Sequence, residues 1–417
     1  MTGLYLTNHL ELYYNIIRHW GISPFKTPFE DTDTVISAVR CAREGFDVYI
    51  FNPCDPQLRQ FDYSPLWMWL KIFPVTTSWL NIAGLTVDIS FLLSLWLLPL
   101  AQDRVSAWIM AAATVSTGVL YAVERGNNDL VLFILAILSA AMLQKNWFIR
   151  IICYMFLLVA GLLKYYPLAT ILIALRERPK RFLSLAVISL LITILFAVST
   201  WHDLVRALSI IPQGSPFADM FGSITVGAGL SQISNLSAQP DRWANLIRFS
   251  MILICLYYSV QAGKAIKTRD ALNYLGARER SLLLLSALLI VGCFFTAQNL
   301  GYRVVHLLLA MPALLTLRRF GNDVRYRFAP FAALALLWSE IWRLRARWLG
   351  QQLGGKIGHN IGAIEAWVVR ESLWWWLVSV LLAYIIAFAL QSEMGVVLQR
   401  QIPKWPVLGG GAGRIVS

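Results

Sequence analysis

Two aspartates, Asp31 and Asp33, stand near the start of a polar, turn-rich stretch at residues 29–65 of a chain that is otherwise mostly apolar. Further along, cations stand at the borders of apolar runs: Arg125 beside Asn127 and Asn128, Lys164 before Tyr165-Tyr166-Pro167, and Arg303 between Tyr302 and Val304-Val305-His306. A carboxylate can take a proton from a hydroxyl, and Lys or Arg can hold an anionic leaving group, Lys as a point charge and Arg as a two-pronged donor. One carboxylate with one or two cations is enough for transfer of a group away from a phosphate.

Each of these residues also has a plainer reading. Asp31 and Asp33 occupy a first helical turn, where carboxylates cap free N–H groups; Asp33 faces another part of the helix and reads as a cap or an acceptor contact. Lys164 and Arg303 could snorkel at span ends, and Arg125 could pair with Glu124. Asn127, Asn128 and Asp129 could contact sugar or phosphate, or could simply form a turn. His306, in an apolar stretch, reads as a core histidine, and Asp88 inside a span as polar glue between helices.

The elements that position these groups are legible. Val35, Ala38, Val39 and Ala42 recur at helical spacing with Arg40, Arg43 and Glu44 on the other side, predicting a short amphipathic helix on the membrane that Gly45 ends. Asn52-Pro53-Cys54-Asp55-Pro56 and Tyr63-Ser64-Pro65 then fix turns. Cys41 and Cys54 both fall in this loop and could be bridged if it faces an oxidising compartment, whereas Cys153, Cys255 and Cys293 lie in apolar runs as packing residues. The aromatic load mostly fits interfacial belts, although Tyr63, Trp67 and Trp69 beside the loop could stack on a sugar. No His, Cys, Asp or Glu cluster has metal-ligand spacing, so no metal and no cofactor is expected.

With 58% hydrophobic residues, 14% charged and a mean hydropathy of +0.60 over 417 residues, the chain carries more apolar surface than a soluble domain can bury. Its net charge of +13 lies in short clusters between apolar runs, which suits an anionic leaflet and argues against nucleic acid. Spans are predicted near 80–100, 106–123, 129–147, 182–200, 246–263, 281–298, 304–317, 328–342 and 372–391. Residues 149–175 read as two short helices meeting at Lys164, because only then do Arg176–Arg181, the basic segment 264–280 and Arg318–Arg327 share one side, the cytoplasm. The same parity puts the 29–65 loop, the Glu124–Asp129 turn, Lys164, Tyr302-Arg303, the loop 201–245 and the basic segment 343–371 on the other side. Loop 201–245, rich in Gly, Ser and Pro, reads as a lid or a connector with short interfacial helices.

The order and spacing of these motifs resemble the GT-C superfamily of glycosyltransferases, and within it the mannosyltransferase-like family 87. Asp31, Ala38, Gly45, Tyr49 and Phe61-Asp62-Tyr63-Ser64-Pro65 follow the family's first-loop pattern. Gly126-Asn127-Asn128 is similar to its Gly-Asn turn, Leu163-Lys164-Tyr165-Tyr166-Pro167 to its Lys-x-x-Pro, and Tyr302–His306 is a looser match to a late-span Tyr or His. The resemblance covers roughly the first 40% of the chain; the Asn-Pro-Cys-Asp-Pro loop and the aspartate pair mark a distinct subgroup.

It implies an all-α polytopic GT-C-like fold of about 10–12 transmembrane or re-entrant helices in a single domain spanning 1–417. Residues 1–28 would be a truncated first transmembrane helix, 29–79 an external catalytic loop, 80–391 the bundle and 392–417 a cytoplasmic tail. It further implies an inverting transfer of sugar from a polyprenyl-phosphate donor to a glycan or glycolipid acceptor of the cell envelope. The site would face the periplasm or exterior of a plasma membrane, such as a bacterial inner membrane, and work among membrane lipids. Asp31 would be the base, its basicity raised by partial dehydration; Lys164 with Arg303 or Arg125 would hold the phosphate; Asp33, Asn127, Asn128, Tyr63, Tyr302 and His306 would contact substrate. The competing expectation is a transporter or lipid flippase built on Asp88, Lys164 and the broken helix.

Overall fold

The computed structural model describes residues 2–25, 27–211, 213–234, 240–321 and 323–401. Apart from a two-residue antiparallel pairing of Met220–Phe221 with Asn299–Leu300, its regular elements are helices. Among the described residues seven helices are long and apolar enough to cross a membrane: Trp79–Leu97, Arg104–Glu124, Trp147–Lys164, Pro179–Ser199, Arg242–Lys264, Ala277–Thr296 and Ser339–Gln391. Asn128–Met142, Tyr166–Arg176 and Gly301–Leu317 are shorter apolar helices. Ala277–Thr296, apolar almost all round, lies at the centre with Leu282–Ile290 buried, whereas Pro179–Ser199 buries none of its apolar window against protein. In lipid, apolar contact alone gives helices little reason to associate, and polar ties supply part of it. Ser286 donates to His306 O at 2.7 Å and Ser259 to Ser379 O at 3.1 Å.

Contacts between helix ends sort them onto two faces. On one, Gln144 donates to Ser281 Oγ (3.1 Å), Tyr326 to Lys267 O (3.0 Å) and Gln391 to Arg269 O (3.2 Å), and Arg319 pairs with Asp103. The basic clusters 176–181, 264–280 and 318–327 all lie here. The opposite face carries the Glu30–Arg43 helix, the strand pair and the segment 213–222. Trp147–Lys164 and Tyr166–Arg176 form a hairpin between the faces: Glu177 pairs with Arg150 at 2.8 Å and accepts from Tyr154 at 2.9 Å, so the second arm returns to where the first began. Tyr165 makes the turn at φ 59°, ψ −53°, a strained region for any residue but glycine, at a cost of roughly 1–3 kcal/mol.

Two expectations are corrected, and the later loops gain detail. The Glu30–Arg43 helix does not lie on the membrane with one face free, because every residue from Glu30 to Val39 is buried. Residues 2–19 form two short helices, Thr2–Leu6 and Leu10–His19, instead of part of one crossing; Tyr13 and Trp20 tie this segment to Glu124 and Val115 at 2.9 Å. The segment 343–371 is a helical hairpin broken at Gly354 and Gly355, whose arms touch at Gly350 and Gly358, where a Cβ would meet backbone. Arg347 and Arg370 anchor it to Phe217, Pro216 and Ala218 carbonyls. Loop 201–245 contains helices Trp201–Ser209 and Ser223–Ile233 and the start of Pro240–Lys264; residues 235–239 lie outside the described residues. Of the tail 392–417, Glu393–Gln401 is a helix and 402–417 lies outside the described residues.

The hairpin has a direct consequence for labelling in sealed vesicles. Lys145→Cys and Lys180→Cys, exposed at the two bases of the arms, will both react or both fail to react with a membrane-impermeant maleimide, and His202→Cys will behave oppositely. A single crossing through residues 149–175 would instead split Lys145 from Lys180.

Candidate functional site

The site begins where the Glu30–Arg43 helix docks onto the turn after Arg104–Glu124. Phe29 N–H donates to Glu124 O (2.8 Å), Asp31 N–H to Arg125 O (3.0 Å) and Thr32 Oγ1 to Gly126 O (2.7 Å). Gly126 has φ +54°, and a Cβ there would stand 2.5 Å from Thr32 Oγ1, so this docking needs glycine. With the backbone so fixed, Asp31 caps nothing. Its carboxylate takes a two-pronged bond from Arg125, Nε at 2.8 Å and Nη2 at 2.5 Å, and a short bond from Asn127 Nδ2. Glu124 is not the partner of Arg125; it accepts from Tyr13.

A second carboxylate, Asp129, stands at the start of the Asn128–Met142 helix and is fully buried. Lys164 Nζ donates to its Oδ2 at 2.7 Å, and Arg303 Nε approaches the same oxygen at 3.6 Å. Tyr166 donates to Oδ1 at 2.5 Å and also lies 2.7 Å from His306 Nε2. An ionised carboxylate only accepts, and the tyrosine has one proton to give it, so His306 carries its proton on Nε2 and donates to the Tyr166 oxygen. The two carboxylate groups are bridged by one ring: Tyr302 stands 5.8 Å from the Arg125 guanidinium and 5.6 Å from Lys164 Nζ, and Tyr63 is 5.7 Å from Lys164. Phe25 and Tyr121 complete the wall around Arg125. Ser64, donating to Leu162 O at 2.6 Å, pins the Phe61–Pro65 segment beside the hairpin tip.

Thus Asp31, Arg125, Asn127, Lys164, Tyr63, Tyr302, Arg303 and His306 converge, from segments up to 275 residues apart in the chain. Asp33 does not join them: it is buried toward Asp55, Arg59 and Arg40, where Arg59 also pairs with Asp55 at 2.8 Å and Glu30 at 3.0 Å. Asn128 is buried beside the turn, its Nδ2 without a partner among the described residues. The expected rise in Asp31 basicity is also overturned. Burial pushes the carboxyl up, but Arg125, Asn127 and the more distant Lys164 outweigh it and hold the group below the ordinary carboxylate value. Asp62 behaves oppositely. It makes no ion pair among the described residues, and burial with the neighbouring Asp31 charge holds its carboxyl above the ordinary value against the pull of Lys164 and Arg59.

Asp129 as the hub, Tyr166 as its donor and Asp62 as an unpaired carboxylate were not foreseen in these roles. The available signal was simple: a buried Lys164 requires a carboxylate, and Asp129 is the acid at the start of the neighbouring apolar run. Cys41 and Cys54 are joined, with Cα atoms 5.7 Å apart, and tie the Glu30–Arg43 helix to the Asn52–Pro56 loop. With Glu44 they also make the group of metal-ligand proximity found among the described residues, but their sulfurs are bonded to each other. Comparison with protein-family models, curated proteins and solved structures returns no match.

Removing the hub carboxylate leaves buried cations unpaired. Asp129→Asn is expected to cost roughly 3–5 kcal/mol of stability, read as a lowered thermal midpoint in detergent. Asp129→Asn with Lys164→Met should recover part of that loss.

Proposed function

We propose that this chain is an inverting glycosyltransferase of GT-C-like architecture. It would move a sugar from a polyprenyl-phosphate donor to a glycan or glycolipid acceptor at the non-cytoplasmic face of a plasma membrane. The observation that carries the reading is the convergence of three cations, Arg125, Lys164 and Arg303, on two carboxylates, Asp31 and Asp129, against the aromatic wall of Tyr63 and Tyr302. Arg303 Nε has no hydrogen-bond partner among the described residues, which leaves a donor for an additional anion, and the aromatic faces suit a sugar ring.

In this reading the acceptor oxygen attacks the anomeric carbon as the bond from that carbon to the phosphate oxygen breaks. The polyprenyl phosphate leaves with the electron pair, and Lys164 and Arg303 stabilise the charge it gains. The acceptor proton passes to Asp31. A phosphate entering the site competes for Arg125, weakens its grip on Asp31 and so raises the basicity of that carboxylate only when donor is bound. Asp62, already above the ordinary carboxylate range, is the alternative proton acceptor. Asp129 stays ionised under Lys164 and acts as a counter-charge that keeps the cations in place before substrate arrives. One observation favours transport instead: Asp88, buried within Trp79–Leu97, has an oxygen without a partner among the described residues.

Sugar release from short-chain polyprenyl-phosphate donors tests the proposal. Asp31→Asn should lower turnover about 100-fold or more with little change in donor binding, and Asp62→Asn should lower it less than tenfold. The reverse pattern transfers the proton to Asp62. Activity in neither the wild type nor any donor, with gradient-dependent movement of a lipid that survives Asp31→Asn, would establish the transporter.

A further inference from the structure

The face opposite the candidate site holds a second cluster of cations that its acids offset only in part. Where the hairpin's second arm ends, Arg176 and Arg280 line a cleft of about 230 Å³ with Gln144, Ser281, Leu284 and Phe388. Like charges placed together repel, and Arg280 is among the charges that act on Arg176. Glu177 relieves this in part, but the hydrogen bonds of the nearby acids go elsewhere. Glu177 is taken by Arg150 and Tyr154, and Glu279 accepts from Thr316 at 2.7 Å and from the Gly276 N–H at 3.1 Å. The Arg280 guanidinium has no hydrogen bond or ion pair among the described residues, and Arg176 has one long bond, 3.4 Å, to Gln144 Oε1. Gln144 itself is oriented by Ser281 Oγ (3.1 Å) and Ala277 O (3.2 Å).

We infer that this cleft binds a phosphate group, carried by the headgroup of an anionic membrane lipid. Two guanidinium groups offer the paired donors that phosphate oxygens accept. Leu284 and Phe388, with Ile173, supply an apolar floor for the glycerol and first methylenes. The cleft lies on the face that collects the basic clusters, where the field concentrates anionic lipid. A lipid there would hold the base of the hairpin whose tip presents Lys164. It is separate from the proposed donor site, and its occupancy is measurable without any transferase assay.

The test is native mass spectrometry of the full chain in detergent with dioleoylphosphatidylglycerol or dioleoylphosphatidylcholine. The expected result is at least tenfold tighter binding of the anionic lipid, lost in Arg176→Gln/Arg280→Gln and kept in Arg327→Gln, an exposed arginine of the same face. Inorganic phosphate displacing the lipid would support the phosphate as the recognised group; inorganic phosphate binding where the lipid does not would assign the cleft to a free anion and overturn the lipid. Equal binding of the two lipids, or a preference that survives the double substitution, also overturns it. Should the double variant fail to fold, a phosphatidylglycerol with a photoreactive headgroup must crosslink the wild-type chain within residues 277–284, and crosslinking elsewhere counts against the cleft.

Discussion

A lysine and an arginine held within a helical bundle cannot stay charged without a carboxylate, and the pairing of Lys164 and Arg303 with Asp129 is the constraint on which the rest of this structure depends. The three residues come from three separate segments. Satisfying one buried negative charge therefore fixes how the Asn128–Met142 helix, the hairpin tip and the Gly301–His306 turn meet. Tyr166 and His306 extend the same network by one hydrogen bond each, leaving both Asp129 oxygens with a donor. Such a network is costly when half satisfied, which is why its members occupy a common centre instead of separate sites.

The hairpin shows how far the chain goes to meet that constraint. A helix that simply continued past Lys164 would carry the basic cluster at 176–181 to the face of the candidate site. Instead the chain reverses at Tyr165 in a strained conformation and returns, with Glu177 locked to Arg150 and Tyr154 at the base. Non-helical backbone at membrane depth is tolerated only inside protein, and here the Pro65–Ile72 turn and Ala277–Thr296 pack against the two arms. The strain at the tip and the salt bridge at the base hold the Lys164 ammonium where Asp129 can receive it.

The first loop solves a related problem by covalent means. A helix buried on nearly all sides at its N-terminal half must be held against the turn at Arg125 while its C-terminal end meets the face. Backbone bonds from Phe29 and Asp31 clamp one end, and the Cys41–Cys54 bridge with the Asp55–Arg59–Glu30 pairs clamps the loop that follows. Closing a loop this short removes freedom chiefly from the unfolded chain. The result is a carboxylate at position 31 whose backbone is held at the turn by direct hydrogen bonds, in a polar loop tied down at both ends.

The amino-acid sequence by itself determined the all-helical, span-rich character of the chain, the position of the loop helix and its stop at Gly45, the break at Lys164 and the collection of basic clusters on one face. These follow from local terms: apolar run length, turn residues, and the charge parity of short loops. It also marked most of the residues that converge, because polar side chains at the edge of apolar runs are few. Only the tertiary structure decided who pairs with whom. Asp31 looked equally suited to capping a helix or to accepting a proton, and the docking of Phe29 and Asp31 onto the Glu124–Gly126 turn gave it to Arg125, which lowers its basicity instead of raising it. Asp33, two residues away, was turned into a different cluster by the helical rotation, and Asp129 became the hub because its carboxylate is the one brought within ion-pair distance of Lys164. Charge pairing across more than thirty residues depends on distances that no local pattern encodes, and in a low-dielectric interior those distances decide both the protonation and the role of each group.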